Sequence, residues 1–68
     1  MIKYDGLWRT MKRTGITQYD LYTHYSINRS ILHRLRTNAN IETNTIDKLC
    51  RILNCDVCDI LEYTPDEE

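Results

Sequence analysis

This chain of 68 residues holds one proline, two glycines, no phenylalanine and an odd number of cysteines, three. With so little Pro and Gly there is no flexible linker, and the sequence shows neither low-complexity tract nor internal repeat. The length allows one domain, residues 1–68, with one small core. No hydrophobic run approaches a membrane span, and the opening MIKYDGLWRT lacks the apolar stretch of a signal peptide. Three cysteines cannot close a disulfide framework. Without an export signal they read as reduced thiols of a cytoplasmic protein. An enzyme is not expected, because so short a chain hardly encloses a substrate pocket. Its two histidines, His24 and His33, fall on outward helical arcs with no matched carboxylate or nucleophile.

The net charge of −1 conceals a strong segregation. Residues 1–36 carry Lys3, Arg9, Lys12, Arg13, Arg29, Arg34 and Arg36 against Asp5 and Asp20, a net of +5. Residues 37–68 carry Lys48 and Arg51 against eight acids, a net of −6. A segregated basic half is the electrostatic footprint of a polyanion partner.

Within that basic half, residues 16–37 (ITQYDLYTHYSINRSILHRLRT) read as two short helices joined by a tight turn. Thr17 is a good N-cap with Asp20 at N3, a carboxylate variant of the capping box. At 100° per residue, Leu21, Tyr22 and Tyr25 share one arc, with Asp20, Thr23 and His24 opposite. Asn28 is a second N-cap, followed by Ile31, Leu32 and Leu35 on an inward face. The opposite arc holds Ser30, His33 and Thr37, flanked by Arg29 and Arg34. Donor-rich side chains of this kind suit the major groove, where they meet base edges and phosphates. The spacing is that of a helix-turn-helix at 17–37.

The flanks read as further helices. Tyr4, Leu7, Trp8 and Met11 stripe a helix over 4–13, stopped at Gly15, and the motif helices run over 17–25 and 28–36. A fourth helix starts at Thr43 or Asn44, either able to cap it, and buries Ile46, Leu49, Cys50 and Leu53. Asn54 suits its left-handed end. Asp56 then caps a fifth helix with Asp59 at N3 and Val57, Ile60 and Leu61 inward. Pro65 stops that helix ahead of an acidic tail at 64–68. No strand is expected.

These features resemble the Cro and CI phage-repressor class of helix-turn-helix regulators, the Xre family, over essentially the whole chain. The resemblance rests on Thr17-Gln18 opening the second helix, Leu21, Ile27 in the turn, Arg29-Ser30, Leu32 and Leu35. The stretch IETNTIDKLCRILNCDVCDILEY is similar to the family's last two helices. The implied fold is all-α, a compact five-helix lambda-repressor-like domain. The implied function is sequence-specific binding of double-stranded DNA in transcription regulation, with helix 28–37 in the major groove. Carried over by position, Arg29, Ser30, His33, Arg34 and Thr37 become the contact residues. Gln18, beside Thr17, resembles the family's phosphate-holding glutamine, whereas Asn28 reads first as a cap. Arg36 projects near the inward arc, toward a salt bridge or phosphate. Two positions depart from the family: Tyr22 stands where it has alanine, and Ser26 where it has a turn glycine. Tyr22 implies wider helix separation or a rotated ring, and Ser26 a cost of about 1 kcal/mol.

The remaining features bear on partners. Cys55-x-x-Cys58 with Cys50 has metal-ligand spacing, but no fourth ligand accompanies it, so no metal or cofactor is expected. Small buried roles are what such thiols usually fill. Tyr19 and Tyr63 read as the most exposed tyrosines. Ile60, Leu61 and Tyr63 form a candidate homodimer surface, since two recognition helices select a site better than one. RNA polymerase or a regulatory protein is a further expected partner. The alternatives are an antitoxin- or anti-repressor-type protein-binding module of the same fold, and a small metal-binding protein.

Overall fold

The computed structural model describes residues 1–66; Glu67 and Glu68, the end of the expected tail, lie outside the described residues. In chain order it contains β1 (Ile2–Lys3), α1 (Asp5–Thr14), α2 (Gln18–His24), α3 (Arg29–Arg36), α4 (Thr43–Leu53), a 3-10 turn (Val57–Asp59) and β2 (Glu62–Tyr63). The class is all-α. Four α-helices supply most of the core, and six side chains at its centre are fully buried: Leu7, Leu21, Ile27, Leu35, Leu49 and Ile60.

Local chemistry sets most boundaries. Gly15 ends α1 at φ 78°, a left-handed conformation glycine adopts without penalty, and Asn54 does the same for α4 at φ 50°. Thr17 and Asp20 form the reciprocal capping box: Asp20 N–H donates to Thr17 Oγ1 at 3.1 Å, and Thr17 N–H to Asp20 Oδ2 at 2.9 Å. Asn28 Oδ1 accepts from Ile31 N–H at 2.9 Å and starts α3. The turn between them places Ser26 at φ 60°. Ile27 N–H donates to Leu21 O at 3.0 Å, and the Ile27 side chain plugs the core. This fixes α3 on the body of the domain by Leu32 and Leu35.

Four expectations are corrected. The fifth helix is a single 3-10 turn, because Val57, Ile60 and Leu61 recur at a spacing that one such turn satisfies equally well. Only a few residues separate its cap from the next element, too few to offset helix nucleation. Asp56 N–H does reach Asp59 Oδ2 at 3.1 Å, while Asp59 N–H returns to the Asp56 carbonyl at 3.0 Å. Second, a strand pair exists: β1 and β2 run antiparallel with Ile2 opposite Tyr63 and Lys3 opposite Glu62. Two-residue strands carry no readable alternation. Third, α4 is capped one residue early by Glu42, without a side-chain bond. Fourth, Tyr22 and Tyr25 are exposed, leaving Leu21 as the one buried residue of α2.

Tyr4 ties the N-terminal segment to the loop after α3. It is buried, its hydroxyl donates to Ala39 O at 2.8 Å, and its N–H donates to Asn38 Oδ1 at 3.0 Å. Burial pushes its phenol pKa up.

Candidate nucleic-acid interface

Burying Leu32 and Leu35 turns the opposite side of α3 outward. Arg29, Ser30, His33, Arg34 and Thr37 are all exposed there, as are Thr17 and Asn28 at the two caps, with Gln18 half-buried. Among the described residues the ion pairs are Met1–Asp66, Arg9–Glu62 and Arg51–Asp47. Arg29, Arg34 and Arg36 are thus exposed and in none of these ion pairs.

The expected residues divide by what their polar atoms already do. Thr17 and Asn28 are engaged by backbone N–H groups as caps. The Thr37 hydroxyl donates back to His33 O at 3.0 Å, which leaves it an acceptor toward any ligand. Ser30, His33 and Arg34 keep their side chains free of partners within the described residues. They form the part of the face best able to reach base edges.

Two contacts across the motif were not legible as such. Arg36 Nη1 donates to Gln18 Oε1 at 2.6 Å, joining the end of α3 to the start of α2. Arg29 lies over the Tyr22 ring, its Cζ 4.8 Å from the centroid, a cation–π geometry. The signal for the second was the departure at position 22, an aromatic one turn-motif away from an arginine. Gln18, Tyr19, Tyr22, Arg29, Leu32 and Arg36 line a groove of about 300 Å³ between the two helices.

Matching that geometry, the family model for the Cro/C1-type HTH DNA-binding domain covers residues 6–66. The chain belongs to the Cro/C1-type helix-turn-helix family. Among solved structures it is similar to the transcriptional regulator VanUg, with a TM-score of 0.86 and 26% identity over 96% of this chain and 87% of that one. Among curated proteins nothing matches significantly.

The other chemistry-bearing residues sit elsewhere in this Cro/C1-type domain. Cys50 and Cys55 are half-buried against the core, and burial raises both thiol pKa values. Cys58 is exposed beside Asp56 and Asp59, with donor atoms of the three within 4.8 Å of one another. The Asp59 carboxylate in that group already serves Asp56 N–H. Ile60, expected at a dimer surface, is instead fully buried within the subunit, whereas Leu61 is half-buried and Tyr63 exposed. No helix among the described residues is long and apolar enough to cross a membrane.

Proposed function

We propose that this protein is a sequence-specific transcriptional regulator in which a homodimer seats α3 of each subunit in successive major grooves of a palindromic operator. The observation that carries this reading is the outward face of α3, with Arg29 and Arg34 in no ion pair among the described residues, on a helix-turn-helix frame. Arg29 or Arg34 takes guanine O6 and N7 in a bidentate contact, and His33 and Ser30 add single hydrogen bonds. Gln18 and the Thr17 backbone lie toward the phosphates, which fix register without reading sequence. The similarity to VanUg, a transcriptional regulator, supports the regulatory half of the proposal.

Dimerisation follows from the limited reach of one short helix. Tyr63 is 68% exposed on β2, next to half-buried Leu61. Leu61 also lines apolar clefts of about 390 and 480 Å³ beside α4. A second copy on this side would cover them and space two recognition helices by about 34–36 Å. The partners are thus double-stranded DNA, a second copy and, for regulation, RNA polymerase or a regulatory protein in the cytoplasm.

The test is selection from a random-duplex pool at two salt concentrations, comparing wild type with R29A/R34A. Enrichment of a palindrome by wild type and its loss in the variant is the expected result. Weak binding that enriches nothing and vanishes with salt would leave only a nonspecific footprint. A protein-binding module of the same fold would then be the better reading.

A further inference from the structure

We infer that Cys50 and Cys55 form an oxidisable thiol pair, a modification site that a peroxide closes into an intramolecular disulfide stapling the end of α4 to the entry of the 3-10 turn. Neither residue lies on α2 or α3, so the inference stands independently of the DNA-binding reading.

The pair is set by how α4 ends. Asn54 turns left-handed at φ 50°, and its N–H and that of Cys55 both donate to Cys50 O, the latter at 3.0 Å. The Cys55 bond is the six-to-one link of a Schellman ending, which lays the residue after the reversal against the last turn of the helix. Such an ending is commonly sealed by an apolar contact between those two positions. Here both positions are cysteine, and the two thiols hydrogen-bond each other. A fixed backbone therefore already holds the two sulfurs side by side.

Access and charge favour a disulfide over other fates. Both thiols are half-buried, and both line the cleft of about 480 Å³ that also holds Asp47 and Asp56. Burial, and then the neighbouring carboxylates, keep the Cys50 thiol protonated, and burial does the same at Cys55 against the pull of Arg13. Only the thiolate attacks an oxidant, so the reaction is slow and answers to sustained exposure. Its product is uncharged, which these surroundings accept. Zinc needs four ligands, and Cys58 groups with Asp56 and Asp59 rather than with the pair.

The thiolate of one cysteine attacks a hydrogen peroxide oxygen, the O–O bond breaks, and the departing hydroxide takes up a proton as water. The second sulfur then attacks the resulting sulfenic acid, the S–O bond breaks, and hydroxide leaves with that thiol's proton as a second water. Two thiols and one peroxide give one disulfide and two waters, the sulfurs losing the electron pair that the peroxide gains.

The reduced full chain is exposed to hydrogen peroxide, alkylated and cut with trypsin, which cleaves after Arg51 and so parts Cys50 from Cys55 and Cys58. Mass spectrometry is expected to find residues 49–51 joined to residues 52–68, and the same link in Cys58→Ser, where only the proposed pair remains. Cys58 is exposed, so that substitution leaves the core untouched. Oxidised Cys58→Ser is expected to melt about 5–10 °C above its reduced form, a gain that dithiothreitol reverses. Residues 49–51 recovered wholly alkylated, a link absent from Cys58→Ser, disulfides between chains only, or sulfinic acid in place of the link would each overturn the pair. A linked Cys58→Ser that melts no higher than its reduced form overturns the staple.

Discussion

Gly6 packs so closely on the 3-10 turn that a Cβ at this position would lie 2.9 Å from the carbonyl oxygen of Asp59. Two hydrogen bonds hold the same approach: Leu7 N–H donates to Ile60 O at 3.0 Å, and Thr10 Oγ1 to Asp59 O at 2.8 Å. The start of α1 is thereby docked on the backbone that carries Ile60 into the core.

Two effects oppose each other in Gly6→Ala. Helix propensity alone favours alanine by about 1 kcal/mol. The clash is with backbone, which cannot swing aside, and overpacking of this kind costs about 1–3 kcal/mol. The clash wins, so the variant is expected to melt about 4–8 °C lower, the shift for a net loss on the order of 1 kcal/mol in a domain this small. A rise in melting temperature would show that the turn yields freely.

Asp20 gives the acid limb a defined sign. The Thr17 backbone N–H, and next its hydroxyl, hold the Asp20 carboxyl below the usual aspartate range. A depressed folded pKa means stability that is present above the unfolded value and lost as pH falls through the folded one. The stability difference between wild type and Asp20→Ala is therefore expected to be constant near neutral pH. It should shrink toward zero in acid melts below the ordinary aspartate pKa. A difference that persists unchanged into strong acid would exclude the carboxylate as its source.

Tyr4 has the opposite sign. Its phenol is raised by burial, so its contribution is complete below the unfolded value and lost as pH rises through the folded one. Tyr4→Phe removes the 2.8 Å bond to Ala39 O and is expected to cost about 1 kcal/mol at neutral pH. It should also flatten the alkaline part of the stability curve. Urea melts across the alkaline range measure both, and an alkaline limb as steep as wild type's would place the titration on another tyrosine.

What the sequence disclosed depended on how local the governing physics was. Caps and helix ends at Thr17, Asn28, Gly15 and Asn54 are decided within one turn of chain, and the structure has them where the residue types put them. The inward arc of α3 was equally plain in Leu32 and Leu35. Longer-range packing was not. The Val57, Ile60, Leu61 pattern fits an α-helix or one 3-10 turn, and only the docking on Gly6 and the pairing of β2 with β1 separates the two. The same limit applied to the interface. Exposure of Arg29 and Arg34 could be read from periodicity, but the contacts of Arg29 with Tyr22 and of Arg36 with Gln18 cross the turn between helices.

Asn28 tests whether a polar residue at the mouth of the recognition helix caps it or reads bases. Its Oδ1 is held by Ile31 N–H at 2.9 Å, which starts α3 and sets where Arg29 and Ser30 begin. Asn28→Ala is expected to cost about 1 kcal/mol of stability, whereas Asn28→Ser, which still caps, should retain most of it. If capping is its role, both variants keep the wild-type base preference in a duplex selection once assayed well below their melting temperatures. A base reader behaves differently: serine would restore stability yet relax the preference at one position by about 1–3 kcal/mol. The serine variant therefore separates the two roles, because it preserves the oxygen the helix uses and removes the amide a base would need.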